Sequence, residues 1–439
     1  MKTWPLPAAG LVLSLSALAS PPPSPLPLSP PGGRREGVRG AAADKPAAAT
    51  FPEFEMQEIA KDLGVGYAVL PADVNADGKP DLVVVDQKRV VWYENPTWKQ
   101  RLILDKTTQR DNVCIAAADI DGDGQLAFAL GADWRPFDTK TGGTLQWLKR
   151  GKTLDDPWTV YPIAEEPTIH RIRFADLDGD GKPALLVGPI MGRDSTKDKN
   201  WTDGSPVRLL AYSIPKDPTK DRWVPEVIDE SLHVVHNFCA GFPHGPKKNQ
   251  VDILTASYDG IHQFNRVPSG PGWARTKLAD GNQENPKGSR GASEIKVGSL
   301  GKDRGRFIAT IEPWHGHQVV VYTPGSDPGV ISWDRHVIDE KLRWGHAVWC
   351  ADLDGDGGDE LVIGVRDDLS KKDGERCGVR VYKALDDKGT KWRRQDVDPG
   401  GVAVEDLTVA DLNGDGRPDI IAVGRATKNL RVYWNEGKK

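Results

Sequence analysis

The apolar residues of this chain gather in short runs with strand rather than helix spacing, most clearly Leu82 to Val85, Leu185 to Val187, Leu361 to Val365 and Ile420 to Val423. Runs of this length, rich in Val, Ile and Leu and bounded by Gly, Asp and Asn, read as buried β-strands. No stretch sustains a 3.6-residue period. Each of these runs follows an acidic, glycine-bearing loop, and such loops occur five times: DVNADGKPD from Asp73, DIDGDGQLA from Asp119, DLDGDGKPA from Asp176, DLDGDGGDE from Asp352 and DLNGDGRPD from Asp411. A return at about 45 to 60 residues means one strand unit repeated.

A second marker shares the period. A Trp opens a short run ending in an apolar residue at Trp98 (WKQRLIL), Trp158 (WTVYPIA), Trp223 (WVPEVID), Trp273 (WARTKLA), Trp333 (WDRHVID) and Trp392 (WRRQDVD). Two further units, around His244 and Gly301, lack a good acidic loop, which brings the total to seven. Seven units need seven outer strands, but the chain ends soon after the third strand of the last unit. Phe54 to Ala60 (FEMQEIA) matches the Trp runs in length and pattern and can complete that blade. The pattern therefore predicts an all-β fold over residues 51–437, a seven-bladed β-propeller closed by the N-terminal strand.

Ahead of it, Leu11 to Ala19 is a short apolar run after Lys2, ending in small residues. It reads as a secretory signal peptide over residues 1–19, and hence as export to the periplasm or the medium. Residues 20–50 are rich in Pro, Ala and Gly and read as an exposed linker. No other stretch is long and apolar enough to span a membrane. The formal charge of −5 and the lack of a basic patch argue against nucleic acid. Four cysteines show no close-spaced metal pattern; Cys114, Cys239 and Cys350 sit in apolar strand-like runs, as buried free thiols do.

The acidic loops place oxygen side chains at positions 1, 3 and 5, a Gly at position 6 and, in three of them, a carboxylate at position 9. That is a donor set for calcium. The candidate ligands are Asp73, Asn75, Asp77 and Asp81; Asp119, Asp121 and Asp123; Asp176, Asp178 and Asp180; Asp352, Asp354, Asp356 and Glu360; and Asp411, Asn413, Asp415 and Asp419. Position 9 is Ala127 or Ala184 in the second and third loops, so those two are expected to bind weakly or stay empty. The plainer alternative is an Asx-type turn without metal.

If the acidic loops join the first and second strands of each blade, the opposite face carries the mouth of the central channel. Six residues before each acidic loop, or its nearest equivalent, stand Tyr67, Val113, His170, His236, Ser293, His346 and Glu405. Six of the nine histidines fall on this face: His170, His233, His236, His315, His317 and His346. With Glu294, Glu312, Glu405 and Arg290 they offer the nitrogen and carboxylate donors that zinc or a similar ion prefers. Trp134, Trp201, Trp314, Trp344 and Trp349 map near the same mouth and suit a sugar, although Trp349 is expected to fill a gap between blades. The long connection from Gly188 to Pro206 is expected to wall a binding site.

The acidic repeat resembles FG-GAP and VCBS-type propellers. More specifically, TIHRIRFADLDGDG, ESLHVVHN, NPKGSRGASE, EPWHGHQVVVY, RWGHAVWCADLDGDG and GGVAVEDL resemble the propeller domain of the aldos-2-ulose dehydratase family. That resemblance implies a zinc-dependent lyase removing water from a keto-sugar such as 1,5-anhydrofructose, zinc polarising a C2 ketone and a His moving the proton. It reaches only the propeller, so a second isomerisation step tied to cupin or lectin-like regions is not expected of this stretch. On this reading His170 is the acid/base, Arg290 orients substrate, and His236, His315 and His346, with Glu294 or Glu405, hold the metal. The roles of the three histidines that begin innermost strands are interchangeable at this level. The competing reading is a calcium-stabilised propeller that binds glycan or protein without catalysis.

Overall fold

In the computed structural model, residues 50–243, 251–267, 272–285, 288–302, 304–325, 332–367 and 376–438 are described. The signal and linker segments up to residue 49, and His244, lie outside them. The described strands form seven four-stranded antiparallel sheets, each built from consecutive strands except one. Reading outward, the first blade holds Gly66–Ala72, Asp81–Asp86, Arg89–Glu94 and Lys99–Asp105. The exception is the last, where Val404–Ala410, Asp419–Gly424 and Leu430–Gly437 are completed by Glu53–Ala60, with Glu55 opposite Trp434 and Gln57 opposite Val432. The two ends of the propeller thus share one blade, as the sequence pattern predicts.

The strand runs explain the packing. The second strand of each blade is covered on both faces, and Asp81–Asp86 and Glu360–Val365 are buried throughout, which is why they read as continuous rather than alternating apolar runs. Core clusters form between blades rather than within them: Val84 and Val91 of the first blade pack with Ile421 and Val432 of the last. Phe307 and Ile311 of the fifth likewise pack with Leu361 and Ile363 of the sixth. At such seams side chains leave little room; a Cβ on Gly188 would lie 2.8 Å from the Phe238 ring.

Three of the six marker tryptophans open their outer strands, Trp273, Trp333 and Trp392. The other three precede them. Trp98 takes a left-handed backbone (φ 55°) before Lys99–Asp105, and Trp158 leaves its strand to stack on Phe128 of the same blade with centroids 5.3 Å apart. Trp223 is buried two residues ahead of Pro225–Leu232. All four cysteines are free. Among the described residues no helix is long and apolar enough to cross a membrane; the only helical element is a 3-10 turn, Lys197–Lys199, inside the Gly188 to Pro206 connection.

Candidate functional site

Four histidines meet at the mouth of the channel. His170, His236 and His346 stand at or beside the start of the innermost strands of the third, fourth and sixth blades. His315 arrives from the connection between Arg306–Glu312 and Gln318–Pro324 in the fifth. That connection is a tight turn in which His315 itself is left-handed (φ 49°), a conformation costly for a residue with a Cβ. Gly316 makes it possible, because a Cβ there would lie 2.0 Å from the Glu312 carbonyl oxygen.

One nitrogen from each of His236, His315 and His346 can be chosen so that all three lie within 4.8 Å of one another. The Nε2 atoms of His236 and His315 are 2.9 Å apart, and ring centroids within the trio are 4.7 to 5.1 Å apart. The opposite nitrogens of His346 and His236 are committed. His346 Nδ1 donates to the Glu405 carbonyl at 2.6 Å, while His236 Nδ1 faces the Glu294 carboxylate at 2.9 Å and the Ser293 carbonyl at 3.3 Å. Such back-side partners select the tautomer and leave Nε2 for the centre, the arrangement found behind histidines that ligate metals. Burial holds all three rings well below the usual histidine pKa, with nearby Arg171 and Arg366 acting in the same direction. They are neutral at pH 7, the form that can coordinate.

His170 sits beside the trio, its ring 4.8 Å from His236 and 5.3 Å from Trp134. Both ring nitrogens are buried without a hydrogen-bond partner. Burial, then Arg171, lowers its pKa well below the usual value. An imidazole left with two uncommitted nitrogens is a costly feature unless something else enters the site.

The remaining expectations divide. Glu294 and Glu405 do not join the trio: the first stands behind His236 and 3.7 Å from Arg171, and the second turns its carboxylate to Arg425 at 2.7 Å and Arg366 at 3.6 Å. Glu294 acts behind His236 through its carboxylate and Glu405 behind His346 through its backbone carbonyl, the Glu405 side chain being turned to the two arginines. Glu312 is taken up by Tyr322 and Arg335. His233 pairs with Asp259, and His317 lies against Trp344, so these two leave the cluster. Arg290 donates to the Asn285 carbonyl at 3.1 Å and lies over the Tyr258 ring. Trp134 and Trp314 do flank the histidines. Trp201, from the long connection, is buried with Ile190, Met191 and Val234 and packs toward both of these tryptophans, so that connection walls the mouth. Trp349 borders the core between the sixth and seventh blades but also faces the channel, under the Lys296 ammonium at 3.9 Å.

Arg171, Arg366 and Arg425 were not anticipated. Arg366 and Arg425 begin the same kind of connection that supplies His315, so counting every charged residue at that position, and not histidine alone, would have found them.

On the other face the acidic loops are drawn tight. Asp73 accepts from the backbone N–H of Asp77 and Gly78, and Asp81, buried, accepts from Val74 and Asn95 at 2.9 Å. Asp411 and Asp419 repeat the pattern, as do Asp352 and Glu360 in part. Asp176 bonds Asp180 and Gly181, while Asp178 faces Arg266. In two loops a lysine enters the carboxylate group: Lys149 at Asp121 and Asp123, and Lys383 at Asp354, Asp356 and Glu360.

The chain is similar to aldos-2-ulose dehydratase. Residues 142–325 match the profile described as aldos-2-ulose dehydratase, beta-propeller domain, and residues 73–130 and 352–422 match FG-GAP-like repeats. The curated aldos-2-ulose dehydratase of Phanerodontia chrysosporium is 28% identical over 291 residues, 63% of this chain and 31% of that protein. The match thus spans just under a third of the relative's length. A chain in the crystal structure of BBS1N in complex with ARL6DN, soaked with lead, superposes with a TM-score of 0.51 at 14% identity, covering 89% of this chain and 98% of its own, a likeness of fold alone.

Proposed function

We propose that this protein is a metal-dependent carbohydrate lyase that removes water from a keto-sugar such as 1,5-anhydrofructose. The observation that carries the reading is the convergence of His236, His315 and His346, all neutral, beside an uncommitted His170. Zinc fits the donor set: three borderline nitrogen donors with two of their back-side nitrogens already engaged, and none of the thiolates of a purely structural site. An ion held there supplies Lewis acidity at the C2 ketone.

The chain's own residues supply the rest. His170, neutral and with both nitrogens free, accepts the proton from C3 and returns it to the hydroxyl leaving C4. The C3–H and C4–O bonds break, a C3–C4 double bond forms and one water departs. Trp134 and Trp314 offer apolar walls to a sugar ring. The reading includes export, on the signal-like segment Leu11 to Ala19, and calcium in the acidic loops that carry a position-9 carboxylate.

The test is turnover of 1,5-anhydrofructose together with elemental analysis after mild calcium chelation. About one zinc per chain and loss of water from the sugar are expected. Protein that retains no transition metal and turns over no keto-sugar overturns the reading in favour of the second one, a calcium-stabilised propeller that binds glycan through the mouth tryptophans.

A further inference from the structure

Deeper in the channel the innermost strands enclose a cavity of about 290 Å³, lined among others by Arg171, Arg173, Lys296, Trp349, Asp406 and Thr408. These residues follow the mouth residues along the same strands: Arg171 and Arg173 after His170, Lys296 after Glu294, Trp349 after His346, Asp406 after Glu405. At about 3.3 Å per strand residue, Arg173 and Trp349 stand roughly 10 Å beyond the histidines that begin their strands. The cavity is therefore a different place from the trio. The Arg171–Glu294 pair, 3.7 Å apart, lies between the two.

Its charge is unbalanced. Three cations line it against one lining carboxylate, Asp406, which accepts from the Val69 N–H at 3.1 Å; a second, Glu294, reaches Arg171 from the mouth side at 3.7 Å, so the cations exceed the carboxylates by one. Arg173 donates to the Asn237 side-chain oxygen at 2.9 Å, a neutral partner. The Lys296 ammonium has no hydrogen bond or ion pair among the described residues and rests on the face of Trp349, 3.9 Å from the ring centroid. A ring face replaces only part of the solvation an ammonium loses on entering a channel. Arg171, Arg173 and Lys296 together leave a positive hollow large enough for a small molecule, near the lower limit of ordinary ligand pockets.

We propose that this cavity is an anion site, taking the carboxylate or phosphate group of a small molecule between Lys296, Arg173 and Arg171. Arg171 and Arg173 supply the guanidinium N–H donors not engaged by the His170 and Ile172 carbonyls, Asn237 and Glu294, and Lys296 supplies the point charge. The neutral keto-sugar proposed for the mouth meets none of these needs, so the two sites call for different ligands. The cavity keeps this charge whether or not the mouth is catalytic.

The probes are inorganic phosphate and malonate, titrated calorimetrically into the full chain at low ionic strength. Saturable binding of one equivalent of either is expected, weakened at least tenfold in Lys296→Met and in Arg173→Met. The tighter probe tells whether the ligand carries phosphate or carboxylate. Absence of saturable binding by both probes, or binding unchanged in both variants, overturns the proposal. Should either variant fail to fold, amine modification of Lys296 in the unsubstituted chain, mapped by mass spectrometry, decides the matter. Protection by the tighter probe upholds the site, and equal modification with and without it overturns the site.

Discussion

The two faces of the propeller both gather side chains of metal-ligating types, yet they treat those residues in opposite ways. On the acidic face almost every loop carboxylate already has a partner: backbone N–H groups fold over Asp73, Asp352 and Asp411, and Lys149 or Lys383 enters two of the loops. At the mouth, His236 and His346 are tied from behind, the Nε2 atoms of His236 and His315 face each other, and His170 is not tied at all. Carboxylates satisfied by their own loop define a turn. Nitrogens left unsatisfied in a buried place define a site. The difference lies in what local backbone can supply: N–H donors are plentiful in a nine-residue loop, whereas a buried imidazole nitrogen facing an axis has only what other strands bring.

The largest effect that would sharpen this contrast is at His170. On the lyase reading His170→Ala should lower turnover by about 10²- to 10⁴-fold while zinc content stays near one per chain, measured by rate and elemental analysis on the same sample. Equal loss of metal and activity would instead make His170 a ligand. Next, His236→Ala should strip the metal, weakening zinc by more than the ~10- to 100-fold that loss of a supporting partner costs. Glu294→Gln should fall within that smaller range, since the carboxylate acts through His236. A Glu294→Gln variant with undiminished zinc affinity would remove the carboxylate from the site.

The acidic face predicts a smaller, pH-dependent effect on stability. Burial raises Asp81 and Asp419 to about 6 and Glu360 to about 7, against the opposing pull of their hydrogen bonds and, for Glu360, of Lys383. A carboxyl raised in the folded state binds more protons folded than unfolded, so its contribution to stability falls as pH rises from the unfolded value toward the folded one. Chelated protein should therefore lose several degrees of thermal midpoint between pH 5 and pH 7.5, and calcium at pH 7.5 should restore them. A midpoint indifferent to calcium at pH 7.5 would mark the loops as turns alone. The smallest effect is expected at Lys383→Met, which frees Asp356 and Glu360, leaves Asp354 with Lys438 and should enlarge the calcium response of the sixth blade.

Much of this was legible from sequence because it is local. A strand run, the loop before it and the turn glycine all lie within about twenty residues, and their hydrogen bonds close over that span. Even the shared blade could be read, from FEMQEIA lacking a unit of its own and the last unit lacking an outer strand. The site was legible only as a set of positions. His233 and His317 occupy the same class of position as the members of the trio, and nothing local separates them; Asp259 and Trp344 take them aside. Glu294 and Glu405 read as ligands by composition, but they stand behind His236 and His346, a matter of side-chain direction.

By itself, then, the amino-acid sequence determined the repeat, the number of blades, the strand that closes the ring and the face on which histidines collect, since each follows from periodicity and turn chemistry. Tertiary structure alone decided which histidines meet, His236 and His315 being 79 residues apart, and which cations line the channel in excess of its carboxylates. The physical reason is closure of the ring. Side chains of successive blades come within a few ångströms at the axis only after all the blades have packed, and no short stretch of chain carries that distance.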